Sequence, residues 1–342
     1  MTAAELKAKI KSTDVGGAYI FAGEEDYLKK YYVSEIEKLA VPDEAFAPFN
    51  KCVFDGSDID FRELAAAIES PPMMSDFKLI EWKYPEIDAM RSGELDELEE
   101  IAKRVADYPY AVLILTVGSD GFDVGTVKRP SKLATRLSRA FDLVIFEKST
   151  DAQLISWLSR HFQAEGLRSS QQALSALIFR SGHSMEVLLG EVEKLSAYSK
   201  ANSLTEITEE SVNLVASPTL ECDAFALSTA ITDKNRAGAF LALADMQQRR
   251  IDAVAALAML ARAFSELVSV AILTAEGKDA SDIEQLMRWK SWKTRICINS
   301  AKKWGTARLT SALSRLRELD AASKSGGASG YKVIEMFICE YI

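Results

Sequence analysis

The hydrophobic positions of the first 150 residues form short, nearly continuous apolar runs separated by segments of helical periodicity. Such runs predict strands, and apolar residues three or four positions apart predict helices. The four runs lie at residues 18–22, 77–82, 110–117 and 142–148. Near-continuous apolar strands that alternate with helices are typical of a parallel sheet covered on both faces. The pattern therefore predicts one α/β domain over residues 1–148.

Beyond residue 148 the strand pattern ends, and apolar residues recur at helical spacing as far as the last residue. Gly166 and Gly182 stand where helices are expected to end. We predict a small domain of three helices over residues 149–217 and a larger helical domain over residues 218–342. The expected fold class is thus an α/β domain followed by all-α domains.

The charge is distributed unevenly along the chain. The net charge is −9, yet residues 221–342 carry 17 Lys and Arg against 14 Asp and Glu. Residues 285–316 contain eight basic residues and no acidic one. An anionic partner is therefore expected to bind in the C-terminal third.

The residue types needed for metal or nucleophilic chemistry are sparse. The four cysteines are scattered without a C-x-x-C pair, and the two histidines, His161 and His183, are far apart. We expect no metal and no cofactor. No continuous apolar run approaches the ~18 residues of a membrane helix, and the N-terminus lacks the apolar core of a secretory signal. A cytoplasmic location is therefore predicted.

The turn after the first strand tests whether the sheet binds a nucleotide. A P-loop reads G-x-x-x-x-G-K-[ST], because backbone N–H groups and the lysine hold the phosphates. Here the turn reads "GEEDYLKK" from Gly23, with three acidic residues where an anion would lie. The run at 110–117 ends in Gly118 and Ser119 rather than in paired carboxylates, and no G-x-G-x-x-G occurs. The sequence predicts a nucleotide-binding type of sheet without nucleotide chemistry, and hence no enzyme.

Several segments in a fixed order resemble one family. They are "YIFAGEEDYL", "FKLIEW", "EKSTDAQLISWLSRHFQAEGL", "GEVEKLSAY", "ITEESVNLV" and "ALAMLARAFSELVSV". The chain resembles the delta subunit of bacterial DNA polymerase III, the clamp-loader subunit that opens the sliding clamp. The likeness extends over nearly the whole length.

The resemblance implies three domains. They are an AAA+-like domain with a RecA or P-loop-type sheet but no functional P-loop, a three-helix lid-like domain, and a helical collar. It implies that the collar joins the ATPase subunits and delta-prime in a ring-like pentamer. It also implies that the subunit binds and opens the beta clamp for loading onto primed DNA during replication, and neither binds nor hydrolyses ATP.

The resemblance also implies a role for an unusual pair of adjacent methionines. In delta subunits an apolar wedge, usually containing an aromatic residue, precedes the strand that corresponds to "FKLIEW". The matching residues here are Met73 and Met74, preceded by Pro72. Two flexible thioether side chains suit an irregular apolar pocket. The alternative is that these methionines complete the core of their own domain.

The segment at residues 285–316, here called the basic block, combines cations with aromatic residues, a combination that suits DNA binding. Clamp-loader collars lie above the primer–template junction, so the resemblance implies DNA contact here. The alternative is a solvated helix face with the tryptophans packed in the collar. The candidate residues are Arg288, Trp289, Lys290, Trp292, Lys293, Arg295 and Lys302.

Three other functions are compatible with parts of the pattern. One is another degenerate clamp-loader subunit similar to delta-prime, although no cysteine-rich zinc module is present. Another is an α/β enzyme with a polar pocket at the strand ends. The third is a stand-alone helical DNA-binding protein that would use the basic block.

Overall fold

The chain divides into two units in its structure, a computed structural model. One unit comprises Met1–Ser156 with Ser184–Glu186, and the other comprises Trp157–His183 with Val187–Ile342. The structure describes residues 1–57, 59–126, 129–287, 289, 291–324 and 330–342.

A five-stranded parallel sheet forms the centre of the first unit. The strands of this unit are β1 (Gly17–Ala22), β2 (Lys51–Asp55), β3 (Lys78–Lys83), β4 (Ala111–Thr116), the short pair β5 (Gly125–Thr126) and β6 (Arg129–Pro130), and β7 (Asp142–Ile145). The sheet has the order β2-β3-β4-β1-β7. The four predicted strands are present, and the structure adds β2. This edge strand was missed because its side chains are only half-buried or exposed, so it lacks a continuous apolar run.

Helices cover both faces of this sheet. They are α1 (Ala3–Lys11), α2 (Asp26–Ala40), α3 (Ala47–Asn50), α4 (Phe61–Glu69), α5 (Ser92–Val105) and α6 (Lys132–Leu137), with short 3₁₀ turns at Glu44–Phe46 and Ile87–Ala89. Alternate residues of β1 face opposite layers, as strand geometry requires. Tyr19 and Phe21 pack with α1 and α2, whereas Ile20 packs with α4 and α5. The predicted α/β architecture, a parallel sheet covered by helices on both faces, is confirmed.

The end of α4 explains how the next loop begins. Asp60 caps the first turn, because its carboxylate accepts a hydrogen bond from the Arg62 N–H at 2.8 Å. The helix ends at Glu69, and Ser70 is extended with φ −77° and ψ 120°. Pro71 follows, and a residue before proline is driven out of the helical conformation. The chain therefore leaves α4 directly into the loop at residues 70–77.

The region predicted as three helices contains four. They are α7 (Asp151–Ala164), α8 (Gln171–Ser181), α9 (Met185–Ala201) and α10 (Glu209–Val215), with a short parallel pair of strands, β8 (Arg168–Ser169) and β9 (Glu206–Ile207). Gly182 caps α8 with φ 85°, a left-handed conformation that breaks the helix before α9 begins.

The rest of the chain is helical, as predicted. Its helices are α11 (Leu220–Thr232), α12 (Arg236–Gln248), α13 (Ala253–Ala275), α14 (Ala280–Met287), α15 (Ser291–Lys324) and α16 (Tyr331–Tyr341). Their core surrounds α13, where Leu260 and Phe264 are fully buried together with Leu309 and Phe337.

Two long helices have features that a sequence pattern describes poorly. Among the described helices, α13 is the one long and apolar enough to cross a membrane by length and composition. Its fully buried Leu260, Phe264 and Val270 are those of a core helix. The other, α15, is interrupted at Gly305, where φ is 73° and ψ is 157°. The basic block is therefore divided between two helical segments.

Candidate functional site

The loop at residues 70–77, here called the methionine loop, presents apolar side chains to solvent. Met74 is 79% exposed and Met73 is 45% exposed, while Pro72 is half-buried. An exposed pair of this size is unusual because large apolar side chains gain free energy from burial. The structure thus leaves both methionines out of the core of the unit.

The backbone at Met74 is held in a rare conformation. Its φ is 53°, in the left-handed region that residues other than glycine seldom adopt. That conformation costs an L-residue roughly 1–2 kcal/mol. Nearby contacts must therefore fix the loop.

A buried asparagine supplies the closest of these contacts. The Asn50 side chain is fully buried at the end of α3. Its Nδ2 donates to the Met73 carbonyl at 2.9 Å, and the Met73 N–H donates to Asn50 Oδ1 at 2.7 Å. Both backbone groups of Met73 are thereby paired with one amide.

Hydrogen bonds also tie down the two ends of the methionine loop. At the start, the buried Lys78 ammonium donates to the Ser70 carbonyl at 3.1 Å, and Tyr110 Oη donates to the Glu69 carbonyl at 2.9 Å. Towards the end, Ser75 Oγ donates to the Leu39 carbonyl at 3.3 Å. The loop is consequently anchored to α2, α4 and the sheet.

Sequence reasoning missed the residues beside the methionines. Asn50 lies 23 positions before Met73, and its neighbour Phe49 is 52% exposed. Both precede β2 at the amino edge of the sheet, where the methionine loop precedes β3. A lone asparagine between an aromatic residue and a strand carries no signal of its distant partner. The pairing emerges only when β2 and β3 are known to be neighbours.

The turn after β1 is occupied by a lysine from within the unit. Lys29 follows Gly23 by six positions, the spacing of the lysine in a P-loop. Its buried ammonium donates to the Gly23 carbonyl at 2.8 Å and to the Val117 carbonyl at 2.6 Å, and pairs with Asp26 at 2.8 Å. These acceptors lie at the carboxyl ends of β1 and β4. The ammonium is committed to the protein itself.

The acidic residues of this turn disfavour the binding of a phosphate. Glu24 is exposed and pairs with Lys148 at 2.7 Å. Glu25 is buried, and burial raises the pKa of its carboxyl, opposed by hydrogen bonds from the backbone of Ser149 and Tyr27. Negative charge at a helix N-terminus takes the place that a phosphate would occupy.

The carboxyl ends of β3 and β4 border a cavity. A cavity of about 320 Å³ beyond β3 and β4 is lined by Glu86, Asp88 and Asp120 among others. The Asp88 carboxylate already accepts the Asp123 N–H at 2.7 Å. In the part of the chain that the structure describes, no group of three or more His, Cys, Asp or Glu could hold a metal ion.

The predicted DNA-binding residues fall into different environments. Arg288 and Lys290 lie outside the described residues. Lys293 is buried, with its Nζ 4.3 Å from the Trp289 ring centroid and 3.2 Å from a carboxylate oxygen of Glu266. These partners engage the Lys293 ammonium inside the helical unit.

Trp292 belongs to an aromatic cluster. Its ring meets Phe179 edge-on at 4.5 Å and Phe225 at 5.8 Å between ring centroids. The cluster borders a cavity of about 670 Å³ that Arg180 and Cys222 also line. Trp292 is nevertheless 38% exposed, so part of its ring stays open to solvent beside these aromatic contacts.

Arg295 and Lys302 remain exposed on the first segment of α15. Seven residues at 3.6 per turn place them on nearly the same face, with exposed Asn299 between them. Neither has an ion-pair partner among the described residues. The next residue, Lys303, forms an ion pair with Asp233 at 2.6 Å. Among the described members of the predicted set, the geometry thus brings together two cations without an ion pair, Arg295 and Lys302.

Comparison with known proteins identifies one family at both ends of the chain. Residues 19–129 match the sequence model for "DNA polymerase III, delta subunit", and residues 221–341 match that for its C-terminal domain. Comparison with curated proteins gave no match.

Three solved structures align with this chain to different extents. The Bacillus subtilis DNA clamp loader delta protein aligns with a TM-score of 0.62 and 19% identity over 99% of this chain and 98% of that one. The Thermotoga maritima Holliday junction branch migration motor aligns with a TM-score of 0.40 and 15% identity, covering 67% and 73%. Domain III of the Thermotoga maritima replication initiation protein aligns at 0.38 and 13%, covering 62% and 88%.

Proposed function

This chain belongs to the DNA polymerase III delta subunit family, and from that premise we propose that it binds and opens the sliding clamp. The observation that carries the proposal is the outward presentation of Met73 and Met74 on an anchored loop. Met73, Met74 and the preceding Pro72 form the proposed contact with an apolar pocket of the clamp.

The methionine pair is suited to drive such an association. Full burial of a methionine side chain contributes about 1.5–3 kcal/mol. Thioether side chains also adapt to irregular pockets. A pair that inserts together would thus act as a hot spot, for which truncation costs about 2 kcal/mol or more.

In this proposal the clamp opens because the methionines bind next to the interface between the subunits of the clamp ring. We infer that partner ATPase subunits, once they bind ATP, make the methionine loop accessible. The inserted methionines and neighbouring contacts then favour a distorted interface over the closed one. A ligand shifts such an equilibrium only by its difference in affinity for the two states.

The subunit works without a nucleotide site of its own in this proposal. Support comes from Lys29, whose ammonium occupies the strand ends, and from the acidic turn beside it. Energy from ATP would instead come from the ATPase subunits, which we propose join this chain and delta-prime through a collar at residues 218–342. Residues 1–148 and 149–217 would form the clamp-binding and lid-like domains, and the complex would act in the cytoplasm.

Contact with primer–template DNA is a separate part of the proposal. The exposed positions of Arg295 and Lys302 support phosphate contact by the first segment of α15. We leave Lys293 out of this proposed contact, because its buried ammonium pairs with Glu266.

The methionine pair can be tested by clamp affinity. The change is Met73→Ala together with Met74→Ala, and calorimetry with the cognate sliding clamp is the measurement. Binding should weaken at least thirtyfold, because about 2 kcal/mol of apolar contact is removed. Circular dichroism should be unchanged, since both side chains are exposed.

Leu214→Ala is the matched control for this experiment. Leu214 is 69% exposed on α10, so its truncation also removes an exposed apolar side chain. The control should bind the clamp as wild type does. Equal affinity of the folded double variant and wild type would exclude the methionine loop as the contact.

A further inference from the structure

We propose that Asn50 is a positioning residue that holds the methionine loop in its clamp-binding conformation. The inference rests on the proposed function, because it concerns how the same contact is prepared. Asn50 itself is fully buried and need not touch the clamp. Its effect would pass through the backbone of Met73.

The hydrogen bonds of Asn50 match the needs of Met73. An asparagine amide offers one carbonyl acceptor and one NH₂ donor group on a single plane. Here the acceptor receives the Met73 N–H at 2.7 Å, and the NH₂ donates to the Met73 carbonyl at 2.9 Å. The side chain thus pairs with Met73 as a neighbouring strand would. The β2–β3 register would place Lys78, not Met73, opposite Asn50, so this pairing is made by the Asn50 side chain and not by the ladder.

The conformation of Met74 shows why such pairing is needed. Its φ of 53° is unfavourable for methionine, and its exposed side chain has few contacts to hold it there. Pro71 and Pro72 fix their own φ angles but not the backbone of residues 73 and 74. Two hydrogen bonds immediately before Met74 supply the missing restraint.

The restraint has a predictable effect on affinity. If only a fraction of free molecules holds the loop in the binding conformation, the apparent Kd rises in inverse proportion to that fraction. Removal of Asn50 would leave the Met73 N–H and carbonyl to water, and the loop would sample other conformations. Affinity should fall although both methionines are still present.

The experiment uses the full-length chain and its cognate clamp. Asn50→Ala removes both hydrogen bonds, and Asn50→Asp keeps the shape but places an acceptor against the Met73 carbonyl. Each is measured alone, and Asn50→Ala is also combined with the Met73→Ala/Met74→Ala pair. Calorimetry gives the Kd, and hydrogen exchange followed by mass spectrometry gives the protection of residues 70–77 in the free chain.

Val144→Ala controls for a general loss of stability. Val144 is fully buried in β7, at the opposite edge of the sheet from β2. It should destabilise the unit without altering protection of the methionine loop or clamp affinity. A loss of affinity in this control equal to that of Asn50→Ala would overturn the proposal.

We expect Asn50→Ala to weaken clamp binding about tenfold, and Asn50→Asp by at least about threefold, with faster exchange in the methionine loop. In the Met73→Ala/Met74→Ala background, Asn50→Ala should cause no further loss of clamp affinity. Suppose that folded Asn50→Ala keeps wild-type clamp affinity and wild-type protection of the methionine loop, while the methionine variant binds weakly. That result would overturn the role of Asn50 and leave the proposed function standing. Wild-type affinity of the methionine variant would overturn the proposed function as well.

Discussion

Lys29 follows Gly23 at the spacing of a P-loop lysine, and its ammonium is bound by its own chain. Two carbonyls and the Asp26 carboxylate surround it, and the side chain is 1% exposed. A buried charge is tolerated only when its hydrogen bonds and counter-charge are supplied. The lysine has therefore become a structural link between the ends of β1 and β4.

Substitution of Lys29 tests this link. Lys29→Met should lower the free energy of unfolding by about 3 kcal/mol, because the carbonyls of Gly23 and Val117 lose their donor in a buried place. Urea denaturation followed by circular dichroism is the measurement. Lys38→Met, on the exposed end of the same helix, should change stability by less than about 0.5 kcal/mol. Equal stability of the two variants would contradict a structural role for Lys29.

At the scale of single residues, the sequence draws attention to the methionines but not to the asparagine that bonds to Met73. Two adjacent methionines after two prolines are conspicuous in the sequence. Asn50 is recognised only in the structure, where its side chain bonds to the backbone of Met73. The basic block shows the converse. Lys293 and Arg295 are two positions apart and chemically similar, but the helix turns the first inward and the second outward. Composition cannot distinguish them.

At the scale of elements, prediction succeeded where burial was complete. The strands β3 and β4 are buried on both faces and form continuous apolar runs. The edge strand β2 has no such run. The end of α8 was expected at Gly182, whereas the interruption of α15 at Gly305 was not. Helical periodicity continues on both sides of Gly305, so the pattern alone could not reveal the change of direction.

Gly305 is a testable break in α15. With φ 73° and ψ 157° it occupies a region that is essentially restricted to glycine. Gly305→Ala should therefore lower the free energy of unfolding by about 1–3 kcal/mol, although a Cβ would meet no atom within 4 Å. Urea denaturation followed by the fluorescence of neighbouring Trp304 measures the change.

The control for Gly305 is a glycine inside a regular helix. Gly190 lies within α9, and a Cβ there would also meet nothing within 4 Å. Gly190→Ala should raise the free energy of unfolding, by up to about 1 kcal/mol, because alanine favours the helix. Stabilisation by both substitutions would show that the Gly305 conformation is not required.

At the scale of the whole molecule, the charge distribution separates the two proposed contacts, one with the clamp and one with DNA. An acidic N-terminal half presents an apolar loop, while the basic surplus lies in the C-terminal third. Lysine and arginine contacts to phosphates release counterions, so binding to DNA should weaken as salt rises. The apolar methionine contact should depend much less on salt.

The proposed DNA contact can be measured in the assembled clamp loader. Arg295→Ala with Lys302→Ala should weaken binding to primer–template DNA and reduce the slope of log K against log salt by about 2. Fluorescence anisotropy over a range of salt concentrations gives both quantities. Lys303→Ala is the control, since Lys303 already pairs with Asp233. An unchanged slope in the double variant would remove these residues from the DNA interface.

The parallel sheet places its two notable features at opposite ends of the same strands. The methionine loop enters β3 at the amino edge, whereas Lys29 joins β1 and β4 at the carboxyl edge. Six residues of strand separate the edges by roughly 20 Å. Substitutions can accumulate at one edge without disturbing the other. For protein engineering, the methionine loop and the turn at Lys29 can therefore be redesigned one at a time.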